Sequence, residues 1–249
     1  MRLPVLFAIL TTLSASALAA DVSVAVAANF TAPMKRIAAG FEQATGHRAR
    51  LSFGSTGKLY AQIRNGAPFE VLLAADAETP KKLVEAGFAV AGTRFTYAIG
   101  QLALWSADAT RIDAEGAVLR EGDFRRLALA DPKLAPYGRA ARETLDALGL
   151  AERLDGRLVT AESIGQSYQF VASGNAELGF VALSQIWRDG QFLGGSAWRV
   201  PNGLHEILRQ DLVVLARGEH HQAARALTAY LRSDEAREVI RSFGYEVAN

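Results

Sequence analysis

The chain has 249 residues, with 27 basic and 26 acidic side chains and no cysteine. A formal charge of +1 without a basic block argues against a nucleic-acid partner. The absence of thiols excludes disulfides, thiolate metal ligands, thiol redox chemistry and a lipid-modified cysteine, so the core must hold the fold unaided.

Residues 1–20 read as a secretory signal peptide. Arg2 gives a charged start, residues 5–18 run largely apolar, and Ala17 and Ala19 supply a small-residue exit. The apolar run is shorter than the roughly 20 residues that span a bilayer, so no membrane anchor is expected. Cleavage after Ala19 or Ala20 removes Arg2 and leaves 26 basic and 26 acidic side chains. The mature chain is expected to diffuse freely in the periplasm of a double-membraned bacterium. About 229 residues remain, enough for one large domain or two lobes of about 100 residues each.

Residues 22–27 alternate and are rich in valine, which predicts a strand. The next helix starts near residues 30–31, with Asn29 at its mouth, because Pro33 has no N–H and belongs in a first turn. Phe30, Met34, Ile37 and Phe41 share one face of it, and Gly46 ends it. Residues 48–53 form a second strand, which runs into Gly54-Ser55-Thr56-Gly57-Lys58 and a helix over 56–65 with Leu59 and Ile63 inward. Residues 71–74 are a short buried strand, Asp76 caps the helix that follows, and Pro80 opens that helix, which runs to 86. The β-α-β-α-β-α order predicts a sheet covered by helices.

Residues 95–105 are extended and read as a crossover out of this first lobe. A strand over 127–130 leads into a helix over 137–148, with Pro136 at its first position. A strand over 158–160 is followed by Ser163-Ile164-Gly165-Gln166, a capping-box pattern opening a helix to 173. Strands follow over 178–182 and 198–200, and 207–216 reads as the return crossover. Helices over 221–232 and 234–242 close the chain, with Ser233 capping the last and Gly244 stopping it. Two crossovers predict an inserted lobe: lobe one over 21–99 plus 205–249, lobe two over 100–204, and a cleft between them.

In such sheets, ligands bind outside the carboxyl ends of the strands. Four strand-to-helix turns converge there, and a helix N-terminus favours negative charge. The candidate donors are the Asn29 side-chain amide, the Ser55 and Thr56 hydroxyls, and the N–H groups of Thr56 and Gly57. From lobe two come the N–H groups of Tyr137 and Ile164 and the Tyr137 hydroxyl. Taken alone, Asn29, Ser55 and Thr56 are equally explained as helix caps, Tyr137 is better explained as a packed surface aromatic and Ile164 as core; four such turns at one place point to a small oxyanion. No turn carries a lysine or carboxylate at its tip, and Lys58 is expected to turn outward. The glycine-rich turn lacks the spacing of a nucleotide-binding loop and has Leu59 where a magnesium-binding hydroxyl is needed. His47, His205, His220 and His221 are expected on the solvated surface rather than in a metal site. No G-x-S-x-G occurs, and no histidine or acid has a motif relation to Ser55, so no enzyme is expected.

Several stretches resemble the periplasmic molybdate-binding proteins of ABC importers. They are Val24-Ala25-Val26-Ala27-Ala28-Asn29-Phe30-Thr31, the Gly54–Gly57 turn, Gly66-Ala67-Pro68, Ala74-Ala75-Asp76, Ala130-Asp131-Pro132 and Gly174-Asn175-Ala176-Glu177-Leu178-Gly179-Phe180. The closing helix pair, from Tyr230 through Tyr245, is also similar. The resemblance implies an α/β, two-lobed, periplasmic-binding-protein-like fold that closes on molybdate or tungstate and delivers it to a membrane permease, with no other cofactor. It puts ligand contacts on Asn29, Thr56, Tyr137 and Ile164. One branch of the family has serine in place of Asn29, alanine in place of Tyr137 and a tyrosine where Ala182 stands here. This chain resembles the other branch, and Ser55 is a candidate for a further contact. A donor-only site suits a fully deprotonated dianion, because a protonated phosphate wants an acceptor; sulfate is excluded only by cavity size. A receptor on the same fold for sulfate, phosphate or a small organic acid is the alternative. A monomer is expected, since a hinged receptor needs both lobes free.

Overall fold

The computed structural model describes residues 19–247, so the signal peptide expected over 1–20 lies, but for its last two residues, outside the described residues. The chain opens with β1 (Asp21–Ala27), whose buried valines pair in parallel with β2 (Arg48–Gly54). Between them a single 3-10 turn, Ala28–Phe30, leads into α1 (Thr31–Thr45). Met34, Ile37 and Phe41 face inward on α1, and Gly46 closes it in the left-handed conformation at φ 73°. Next come α2 (Thr56–Arg64), β3 (Val71–Leu73) and α3 (Glu78–Glu85), which starts two residues before Pro80. Asp76 does cap this turn, accepting from the Thr79 N–H at 2.8 Å.

The extended run expected over 95–105 is two strands, β4 (Phe95–Gly100) and β5 (Leu102–Ser106), with Gln101 between them. Lobe two continues with α4 (Val118–Glu121), β6 (Leu127–Ala130), α5 (Pro136–Ala147), α6 (Ala151–Leu154), β7 (Leu158–Ala161), α7 (Ile164–Ala172), β8 (Leu178–Ala182) and α8 (Leu183–Ile186). A small hairpin of β9 (Trp187–Arg188) and β10 (Gln191–Phe192) precedes β11 (Ser196–Arg199). The chain returns in β12 (Leu208–Val214) and ends with α9 (Gln222–Tyr230) and α10 (Asp234–Ser242). Ser233 caps α10 through the Ala236 N–H, as expected. The short helices α4, α6 and α8 and the hairpin carry no periodicity long enough to announce them.

Two five-stranded sheets result. One has the order β2-β1-β3-β12-β4, the other β11-β5-β8-β6-β7. In each, one strand is reversed against both neighbours: β12 in the first sheet and β5 in the second. Each reversed strand is the one that enters from the other sheet.

Register places the turns. β1 and β2 pair from Asp21↔Arg48 to Ala27↔Gly54, so their carboxyl ends are level. β6 and β7 pair from Leu127↔Leu158 to Ala130↔Ala161, with the same consequence. The turn before α1 therefore sits beside the turn before α2, and the loop before α5 beside the turn before α7. Phe30, Phe41 and Ile240 centre one apolar cluster, and Leu104, Leu129 and Phe180 another. Ala27 and Ala75 from the first lobe pack into the second cluster, so the lobes meet at the strand ends. No helix among the described residues is long and apolar enough to cross a membrane.

Candidate functional site

At that meeting lies a cavity of about 10 Å³, the scale of one water molecule. Asn29, Ser55, Thr56, Tyr137 and Ile164 all line it, with alanines and Pro136 between them. The five residues singled out from the sequence are thus brought together. No carboxylate, ammonium or guanidinium group is in the lining.

Ser55 precedes α2 with extended backbone, so its side chain sits at the helix mouth. Its hydroxyl is buried and has no partner. An unsatisfied buried hydroxyl costs about 1–3 kcal/mol, so this orphan is the polar group of the cavity that calls for an explanation. The Thr56 hydroxyl accepts from the Ala75 N–H at 3.0 Å, which leaves its own proton to give. The Tyr137 side chain is fully buried, and its oxygen accepts from Gln210 Nε2 at 3.1 Å. It also lies beside the Tyr245 hydroxyl, with which it shares a hydrogen bond. The N–H groups of Thr56, Tyr137 and Ile164 lie in the first turns of α2, α5 and α7, which leave such groups without intrahelical partners. Pro136 at the start of α5 has no N–H to offer, so Tyr137 supplies the first one of that helix.

Two expected donors are otherwise engaged. Asn29 Nδ2 donates to Gln210 Oε1 at 2.8 Å and to the Tyr245 hydroxyl at 2.9 Å, so the amide braces the site from behind. Asn29 instead brings its backbone, at the opening of the 3-10 turn. The Gly57 N–H donates to Leu134 O at 2.9 Å, across the seam between lobes. Lys58 turns outward, as expected, to an ion pair with Glu162 at 2.6 Å that also bridges the lobes. The Ser184 hydroxyl donates to Asn29 O at 2.8 Å, again from one lobe to the other. These contacts tie the two lobes together around the cavity.

Behind the cavity lies a polar cluster that sequence reasoning missed. Tyr97 and Tyr245 are buried, and Gln210 is completely so. Tyr97 donates to Ala74 O and lies within 3.0 Å of Gln210 Oε1; Tyr245 donates to Asn29 O at 2.9 Å. Burial pushes the phenols of Tyr97 and Tyr137 well above the ordinary tyrosine value, and that of Tyr245 to about 12. All three stay protonated, so the cluster keeps its donors. The adjacent polar pair Gln210-Asp211 inside an apolar strand was the one signal of it in the sequence. Of the histidines, His47 and His205 are buried rather than solvated: His47 Nδ1 accepts from the Ala20 N–H at 3.2 Å, and His205 Nδ1 lies 2.7 Å from Glu206 O. No cluster of three or more potential metal ligands occurs among the described residues.

Two α/β lobes joined by two crossings, with a small buried shell of neutral donors between them, are the architecture of two-lobed solute-binding proteins. The chain belongs to the family described as bacterial extracellular solute-binding protein, whose model matches residues 22–246. It is 57% identical over 233 residues to the molybdate-binding protein ModA of Azotobacter vinelandii, covering 94% of this chain and 92% of that protein. It is 51% identical to ModA of Rhodobacter capsulatus, over 94% and 91% of the two chains. The solved structure of the Azotobacter vinelandii periplasmic molybdate-binding protein superposes with a TM-score of 0.89 at 39% identity, covering 92% of this chain and all of that one.

Proposed function

We propose that the protein is a periplasmic receptor that captures molybdate, and tungstate, between its lobes and delivers the anion to the permease of an ABC importer. The observation that carries this reading is the buried, unpartnered Ser55 hydroxyl in a cavity lined by donors and free of charged side chains. Molybdate and tungstate are fully deprotonated dianions near neutral pH and need no acceptor from the protein. Their charge is met by helix N-termini and hydrogen bonds rather than by a counter-ion. The likeness to proteins named for molybdate selects this ligand among tetrahedral dianions.

The anion contacts are Ser55, Thr56 and Tyr137 through side chains and Asn29, Tyr137 and Ile164 through backbone. Residues 21–99 with 205–249, and residues 100–204, move as two lobes about the crossings, each bringing half of the shell. The chain binds its ligand and does not transform it. Residues 1–20 direct export, and the mature receptor acts as a monomer. Titration calorimetry on the mature chain with molybdate, tungstate, sulfate and phosphate at one pH and ionic strength tests the reading. One-to-one binding of the first two, with sulfate and phosphate silent, is expected. Silence with molybdate and tungstate overturns it.

A further inference from the structure

We propose that Ser184 and Gln185, adjacent residues of the short helix α8, are positioning residues of the anion site, which hold the turns of Asn29 and Ile164 so that both backbone N–H groups meet on the bound anion. The proposal deepens the oxyanion-receptor reading and rests on it. Three observations carry it. First, the direction of each N–H is set by its own peptide. The Ala28 carbonyl takes the Thr31 N–H and, at 2.8 Å, the Thr31 hydroxyl. The Ser163 carbonyl takes the Ser167 N–H at 3.0 Å. In a planar trans peptide the N–H points opposite to the carbonyl, so the Asn29 and Ile164 N–H groups point out of their helix mouths, where both residues line the cavity.

Second, the next carbonyl of each turn is held by α8. Ser184 Oγ lies 2.8 Å from Asn29 O, and the Gln185 amide donates to Ile164 O at 3.2 Å. The Gln185 oxygen takes the Ala182 N–H at 2.8 Å. A backbone carbonyl only accepts and a backbone N–H only donates, so these two partners fix which way the Gln185 amide faces. The Tyr245 hydroxyl lies 2.9 Å from Asn29 O and 3.0 Å from Ser184 Oγ, closing a triangle of three oxygens. That triangle ties Ser184 to the Asn29 turn whichever hydroxyl proton meets the carbonyl.

Third, the two anchors reach both sides of the cavity from one rigid base. Asn29 belongs to lobe one and Ile164 to lobe two, whereas Ser184 and Gln185 are consecutive. α8 follows β8 without a break, and β8 is the central, wholly buried strand of its sheet. The spacing between an N–H from one lobe and an N–H from the other is therefore set by neighbouring side chains on the stiffest strand of lobe two.

The test uses the mature chain as wild type, Ser184→Ala and Gln185→Met, with melting of each unliganded protein. Each is titrated with molybdate by calorimetry, and its amide proton shifts are followed by nuclear magnetic resonance. The anion is expected to move the Asn29 and Ile164 amide protons of wild type downfield, as a charge-assisted hydrogen bond does. Ser184→Ala should weaken binding about three- to tenfold, the scale of one hydrogen bond, and shrink the Asn29 shift. Gln185→Met should weaken binding similarly and shrink the Ile164 shift instead. The Thr56 amide proton, on a turn that neither side chain holds, should keep its shift in both variants. A merely structural role would shrink all three shifts together, and that result overturns the proposal, as does affinity within about twofold of wild type in both variants. Should Ser184→Ala fail to fold, Gln185→Met alone decides by the same criteria. Asn29 and Ile164 protons that stay put while wild type binds molybdate overturn the proposal and leave the receptor reading standing. A wild type silent toward molybdate overturns the receptor reading, and the proposal with it.

Discussion

Replacing Gly57 with alanine should cost affinity without costing stability. Gly57 is the second residue of α2, and the backbone it faces belongs to the opposite lobe. A Cβ there would sit 3.0 Å from Leu134 O and 3.1 Å from Leu134 Cα, so the seam has to open by a few tenths of an ångström. Backbone atoms cannot swing aside as a side-chain end does. Overpacking of this kind costs about 1–3 kcal/mol. Opening the seam also stretches the 2.9 Å bond from Gly57 N–H to Leu134 O, whose net worth is about 0.5–1.5 kcal/mol. A central value of about 2 kcal/mol corresponds to roughly a 30-fold loss of molybdate affinity. Alanine also favours helix over glycine by about 1 kcal/mol, but that gain acts on open and closed forms alike and cancels in binding. The unliganded protein should therefore melt at the wild-type temperature or slightly above it. Calorimetric titration and thermal melting of the unliganded variant read the two effects separately. Affinity within twofold of wild type would refute the claim that binding requires the seam described here.

Ser55→Ala removes a hydroxyl with no protein partner, so melting of the unliganded protein should change little, while molybdate binding weakens by about 1.5–3 kcal/mol; equal affinity in the two proteins would remove Ser55 from the site. The tyrosine cluster sets the alkaline limit. Tyr97, Tyr137 and Tyr245 have folded pKa values above the unfolded value of about 10, so their phenols hold their protons more tightly in the native state. Their contribution to stability is complete below about pH 10 and is lost as pH rises through the folded values, to about 12 for Tyr245. Near-ultraviolet titration should show these phenols ionising later than free tyrosine. Molybdate affinity should hold to about pH 10, since a Tyr137 phenolate would both lose its proton and repel the anion; a decline centred near pH 9 would contradict the assignment.

The half of the site that was legible in the sequence consists of helix beginnings. Ser55, Thr56, Tyr137 and Ile164, which line the cavity, could be singled out because a strand, a short turn and a capped or proline-led helix are local signals. Parallel pairing with level ends then brings such turns together without further instruction. The other half depends on partners remote in the chain. Asn29 and Gln210 are 181 residues apart, and Asn29 and Tyr245 are 216 apart. Nothing near Asn29 says that its amide faces backward rather than into the cavity. Gly57 was read as an anion donor for the same reason: only the docked lobe reveals that Leu134 O takes its N–H. His47 and His205 were placed on the surface by residue type, yet His47 lies buried beside Phe41, where their rings are 6.2 Å apart.

The reversed strand in each sheet governs the order in which the chain can fold. Lobe two draws all five of its strands from one continuous stretch, β5 to β11, and can assemble as soon as that stretch exists. The first sheet cannot. Its fourth strand in space, β12, sits between β3 and β4 but is among the last to be made. Until it arrives, β4 has no neighbour and β3 lacks one side. The strand that completes the sheet also carries Gln210. The strand that braces the Asn29 side chain thus also closes the first sheet, so the turn before α1 gains that support only when the last strand arrives.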